Sequence, residues 1–152
     1  MSKLAFKSAT ELAAMIRAKE ISAVELLEHY LDRVERYNPD LNAIIVLDVE
    51  RARVRAREAD AALAKGEVWG SLHGVPMTIK ESYNVAGLPT TNGRPEMKDN
   101  IAEADALAVE RLKDAGVVLF GKTNVPLNLA DFQSYNEVYG TTNSPWDLKR
   151  VP

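Results

Sequence analysis

Apolar residues recur at helical spacing twice near the start of the chain: Leu12, Met15 and Ile16, then Leu26, Leu27, Tyr30, Leu31 and Val34. Such spacing puts each set on one face of a helix. Each run follows a capping box, Ser8-Ala-Thr-Glu11 and Ser22-Ala-Val-Glu25. The serine caps a free first-turn amide, and the glutamate three residues on reaches back to the serine. The pattern predicts helices over 9–19 and 23–37, with Asn38-Pro39 as the break, because proline disfavours helical backbone before it. Ala43-Ile-Ile-Val-Leu47 is short, apolar and rich in β-branched residues, and reads as a strand. Residues 48–65 are mostly alanine and alternating charge, which predicts a solvated helix ending at Gly66. Val75–Lys80 predicts the next strand. Asp105–Ala115 predicts a helix with Leu107, Ala108, Leu112 and Ala115 on one face and Gly116 at its end. Val117–Phe120 predicts a further strand. Strands alternating with helices imply an α/β fold with at least some parallel pairing.

Two stretches fall outside this rhythm. Residues 81–104 carry Gly87, Pro89, Gly93 and Pro95 and read as a long loop, a kind that is often functional. Residues 121–152 are rich in turn residues, and Val151-Pro152 carries no element-ending signal, which reads as a stop in mid-loop.

Composition narrows the chemistry. A chain of 152 residues, 46% apolar and 27% charged, suits one globular domain with a sizeable core. A net charge of -3 gives no attraction to nucleic acid or to an acidic membrane surface. The absence of cysteine excludes disulfides, a thiol nucleophile and thiolate-bound zinc. Two histidines, His29 and His73, exclude a histidine-rich metal site. No apolar run is long enough to span a bilayer, and no signal-peptide core stands at the N-terminus. The expectation is a cytoplasmic protein with no cofactor, no metal, no nucleic-acid partner and no membrane partner.

Lys80 ends the apolar run Val75–Ile79. In α/β sheets the carboxyl end of a strand borders the ligand crevice. A lysine in a poorly solvated site there loses its proton more readily and can serve as a base. On local pattern alone the plainer reading is a solvated lysine where the strand meets water. Strand alternation sends the adjacent Glu81 to the opposite face. His73 lacks a carboxylate partner at a recognisable catalytic spacing, and packing suits it; His29 lies within a helix beside Glu25 and Asp32, and a surface role suits it. Gly116-x-x-x-x-Gly121-Lys122-Thr123 matches a phosphate-binding loop on paper. The apolar strand Val117–Phe120 occupies the place of the glycine-rich cradle, so the motif reads as a strand ending at a polar turn.

Three ordered motifs resemble the amidase signature family: "GSLHGVPMTIKES", "DALAVERLKDAGVVLFGKTNVP" and "YGTTNSPWDLKRVP". They cover about half the chain, from Gly70 onward. The resemblance implies an α/β fold, the N-terminal portion of a mixed β-sheet flanked by helices, incomplete in this chain. It implies a single partial domain: N-terminal helices and first strand over 1–69, and the start of the amidase core over 70–152. It implies an amidase that converts a carboxylic amide to acid and ammonia or amine through a Ser–cis-Ser–Lys triad. Lys80 takes the base role. The bridging serine and the nucleophile match none of Ser82, Ser134 or Ser144, and belong to a Gly/Ser-rich segment expected beyond Pro152. The resemblance makes Leu129 and Asp131 walls of the acyl pocket. Glu81 departs from the usual aspartate. Implied partners are a small-molecule amide and either the remainder of the domain or a second copy. The alternatives are a non-catalytic or split-protein fragment and a glutamyl-tRNA amidotransferase component of the A type. Asn124-Val-Pro-Leu-Asn-Leu-Ala-Asp-Phe132 departs from that last branch.

Overall fold

The computed structural model describes residues 4–152. Among the described residues four α-helices, α1 (Ala9–Arg17), α2 (Ala23–Leu41), α3 (Val49–Ala64) and α4 (Leu107–Asp114), are interspersed with three strands, β1 (Ile44–Leu47), β2 (Pro76–Lys80) and β3 (Val118–Thr123). A short hairpin, β4 (Tyr135–Asn136) and β5 (Gly140–Thr141), follows. Both capping boxes form. Ser8 Oγ accepts the Glu11 amide at 3.2 Å while the Glu11 carboxylate accepts the Ser8 amide at 2.8 Å. Ser22 and Glu25 repeat the exchange at 3.0 and 2.9 Å. Asp60 of α3 adds a second cap to α2, accepting the amides of Ala23 and Val24 at 2.7 and 3.1 Å.

The break expected at Asn38-Pro39 does not occur; α2 continues to Leu41 with Pro39 inside it. Pro39 falls in the last turn, where its missing N–H costs one helical bond and little follows to be disturbed. Asn38 then manages the exit. Its Oδ1 accepts the amides of Ala43 and Ile44, each at 2.9 Å, and its Nδ2 donates to the Ile44 carbonyl at 2.9 Å. The chain passes directly from helix into β1.

Two compact units make up the chain: Met1–Asp32 with Asp48–Met77 and Glu110–Phe120, and Arg33–Leu47 with Thr78–Val109 and Gly121–Pro152. In the first, Leu12, Ala13 and Ile16 of α1 bury against Leu26 and Val75, with Ile21, Tyr30, Leu63 and Leu72 packed around them. Helix α3 is not solvated on all sides as its charges suggested. Ala52, Ala56, Ala59 and Ala62 are buried at three- and four-residue spacing, so small side chains form its inner face. His73 is fully buried beside it. Its Nδ1 accepts the Trp69 amide at 3.1 Å, which leaves the proton on Nε2 to donate to the Ala59 carbonyl at 3.0 Å. Both ring nitrogens are thus used in packing, as expected for this residue. His29 is half-buried rather than on the surface, with its ring edge-on to Tyr30 at 5.5 Å.

The three longer strands form a sheet in the order β1-β3-β2. β1 runs antiparallel to β3, pairing Val46 with Lys122 and Leu47 with Gly121. β2 and β3 run parallel: the Val118 amide donates to the Val75 carbonyl at one end and the Glu81 amide to the Thr123 carbonyl at the other, both at 2.9 Å. β3 extends to Thr123, three residues past its expected end. Pairing with β1 supplies partners for that extension, so Gly121-Lys122-Thr123 is strand and not turn. A Cβ on Gly121 would lie 2.6 Å from the Val46 carbonyl oxygen, which is why glycine stands there. Among the described residues no helix is long and apolar enough to cross a membrane.

Candidate functional site

Lys80 stands at the carboxyl end of β2, directly after the buried Ile79, and its side chain is exposed. Its carbonyl accepts the Tyr83 amide at 3.0 Å, which turns the chain away from the sheet. Glu81 is fully buried, on the other face as alternation requires. Its Oε1 accepts the Thr91 amide at 2.5 Å and its Oε2 the Asn92 amide at 3.0 Å. Tyr139 donates its hydroxyl to Oε1 at 3.4 Å.

Lys122 on β3 is also fully buried. Its Nζ donates to the Pro89 carbonyl and, at 2.9 Å, to Thr90 Oγ1. Burial pulls the Lys122 ammonium down from its ordinary 10.5 to about 8, against the opposing pull of the Glu81 charge. Burial and the same carboxylate push the Tyr139 hydroxyl up. The long loop after β2 is therefore pinned at residues 89–92 by two buried ionisable side chains. It is ordered along its length. The Gly87 amide donates to Ala102 at 2.8 Å and the Thr90 amide to Asn100 at 3.0 Å. Asp105 Oδ1 accepts the Ala86 amide at 2.8 Å.

Sequence reasoning missed Lys122 by placing it in a polar turn. The alternation of β3 carries the signal that finds it: Val118, Phe120 and Lys122 are two apart and share a face, and all three are buried.

Leu129 and Asp131 lie in the segment after β3. Asn128 and Leu129 both have left-handed backbone, φ 53° and 59°, a conformation that costs a branched side chain roughly 1–2 kcal/mol. The Asn128 amide donates to the Asn92 carbonyl at 2.8 Å, tying this segment to the pinned loop. Leu129 is half-exposed. Asp131 closes a local turn: Oδ1 accepts the Phe132 amide at 2.6 Å and the Gln133 amide at 3.3 Å, and Tyr135 donates its hydroxyl to Oδ2 at 3.3 Å. These bonds stay within residues 132–135 and do not join Asp131 to Lys80. Buried amides support the segment from below. Asn136 Nδ2 donates to Asn124 Oδ1 at 2.9 Å and to the Val125 carbonyl at 2.8 Å. Among the described residues no group of three or more His, Cys, Asp or Glu is placed to hold a metal ion.

A family model described as Amidase matches residues 25–152. The chain is 41% identical to the A component of the glutamyl-tRNA(Gln) amidotransferase of Acidothermus cellulolyticus over 152 residues, all of this chain and 30% of that one. It is 43% identical to an acylamidase of Rhodococcus erythropolis over 141 residues, 93% of this chain and 30% of that one. The solved structure of a fatty acid amide hydrolase superposes with a TM-score of 0.88 at 30% identity, over 93% of this chain and 25% of that one. The chain thus spans under a third of the length of these relatives.

Proposed function

Since the chain belongs to the amidase family, we propose that it carries the general base of an amide hydrolase, Lys80, whose reaction is completed by polypeptide that supplies the rest of the domain. The observation that carries this reading is the contrast between two lysines. Lys122 is sealed and its ammonium is spent on Pro89 and Thr90. Lys80 is exposed at the carboxyl end of a sheet strand, where α/β folds build their sites.

In this reading the neutral Lys80 amine takes a proton from a bridging serine, which takes one from a nucleophilic serine. The nucleophile attacks the amide carbonyl, the amine leaves protonated, and water releases the acid. Contact with the other two thirds of the domain removes water from around Lys80, which is exposed here. Leu129 and Asp131 border the acyl group of a small amide. None of the chain's serines serves as nucleophile or bridge, so residues 1–152 alone are inactive. Exposed Leu127, Phe132, Tyr135, Trp146 and Leu148 are the apolar side chains that a further polypeptide, or a second copy, would cover.

The test is turnover of small aryl and alkyl amides. Residues 1–152 alone give none above the Lys80→Ala control. Assembled with a polypeptide supplying the remaining two thirds, they turn over, and Lys80→Ala and Lys80→Arg both lose most of kcat, because arginine cannot give up its proton. Near-parent kcat in Lys80→Arg would overturn the base assignment. The 41% identity to an amidotransferase component over the whole chain favours a second reading, in which the same base releases ammonia from glutamine for transfer to an aminoacyl-tRNA. Glutamine hydrolysis that depends on a charged tRNA would select it.

A further inference from the structure

We propose that Glu81 and Lys122 are positioning residues for Lys80, gripping the loop at 89–92 and thereby fixing the peptide group from which Lys80 projects. The inference rests on the reading of Lys80 as the base, and goes beyond it by assigning work to two buried side chains that the proton transfer does not use.

The peptide joining Lys80 to Glu81 is held from both sides: its N–H donates to the Thr123 carbonyl and its C=O accepts from Tyr83. Each clamp acts within one residue of that peptide. Glu81 is the residue after Lys80, and its carboxylate is locked by the amides of Thr91 and Asn92. Lys122 is the residue before Thr123, and its ammonium is locked by Pro89 and Thr90. One four-residue stretch of loop therefore holds the ends of both strands. Because successive residues of a strand point to opposite faces, fixing the Glu81 side chain on the buried face fixes the direction in which Lys80 leaves the other. A base displaced by about an ångström loses on the order of 10²-fold in rate. Two buried charges are a costly means of anchoring a loop that apolar residues could anchor. Orienting a base is a function that repays such a cost. Tyr139 completes the shell around the carboxylate.

The test uses residues 1–152 and amide hydrogen exchange resolved residue by residue. Glu81→Gln is expected to speed exchange at Thr91 and Asn92 at least tenfold, and at residue 81 and Tyr83 at least threefold. Lys122→Met loosens the same four amides. Thr90→Val, which removes only the hydroxyl acceptor of Lys122, does so more weakly and serves where Lys122→Met fails to fold. Glu81→Asp keeps the carboxylate and returns the protection of residue 81 and Tyr83 toward the parent. If the loop amides loosen while residue 81 and Tyr83 keep parent rates, the pair anchors the loop only and the proposal is wrong; unchanged exchange throughout also overturns it. In the assembled enzyme the same variants lower kcat at least tenfold with KM within twofold, and a loss confined to KM counts against positioning. Lys80→Ala leaves the exchange pattern at parent rates, so a failure of the base assignment shows in turnover and not here.

Discussion

The interaction of Glu81 with Lys122 makes a prediction that single substitutions alone cannot reach. Glu81→Gln keeps the shape of the side chain but turns one acceptor into a donor. Gln can accept from Thr91 or from Asn92, not both, so one buried amide is left facing an NH₂ group at about 1–3 kcal/mol. The same change removes the Glu81 charge that favours the ammonium of the buried Lys122, which adds roughly 1–2 kcal/mol to the cost. We expect a total of about 3–4 kcal/mol. Lys122→Met should cost less, about 1–2 kcal/mol. Glu81 retains three donors, the amides of Thr91 and Asn92 and the hydroxyl of Tyr139, and a thioether of similar length replaces the ammonium. In the double variant no orphaned ammonium remains, so its cost should fall short of the sum of the singles by about 1–2 kcal/mol. Urea unfolding followed by circular dichroism at pH 7 measures all four corners of the cycle. Additivity within about 0.5 kcal/mol would mean that the two charges do not sense one another, and the electrostatic account of this cluster would fail.

The pH dependence of stability follows from the same residue. The folded value of Lys122, about 8, lies below the ordinary 10.5, so between those values the unfolded chain holds the extra proton and stability rises with pH, by up to roughly 3 kcal/mol. Urea midpoints from pH 7 to 9.5 should show about 2 kcal/mol of this rise in the parent and none of it in Lys122→Met. Gly121→Ala should destabilise by about 1–3 kcal/mol, because its Cβ would meet the Val46 carbonyl at 2.6 Å; an unchanged midpoint would show that β1 can shift freely. Lys80→Ala should alter stability by no more than about 0.5 kcal/mol, as expected of an exposed side chain, while removing turnover in the assembled enzyme.

What the sequence made legible was local, and what it hid depended on distant partners. Helix starts were readable because a capping box is closed by residues three apart, as Ser8 with Glu11 and Ser22 with Glu25. The end of β3 was not, because the pairing that extends it to Thr123 comes from β1, far back in the chain. The exit of α2 depended on the Asn38 side chain reaching two amides beyond the helix, which the proline rule does not include. Lys80 stood out because an apolar run ends on it, but its role as base came from the family resemblance and stays a proposal. The burial of Lys122 became evident only once the strand containing it was seen to continue. The order of the loop after β2 follows from one carboxylate meeting two amides ten and eleven residues away, and spacing rules do not cover such a bond.

The strand order β1-β3-β2 also has a consequence for how the chain emerges during synthesis. The middle strand is the last of the three to be made, so neither β1 nor β2 can find its sheet neighbour when it leaves the ribosome. About 75 residues separate Leu47 from Thr123, and at roughly 5–20 residues per second β1 waits on the order of 4–15 s for its partner. Through that interval Ile44-Ile45-Val46-Leu47 is an apolar tetrapeptide, three of its four residues β-branched, with open backbone bonds. The nascent chain should therefore be most vulnerable to mispairing, and most in need of a chaperone, in the window between completion of β1 and arrival of β3.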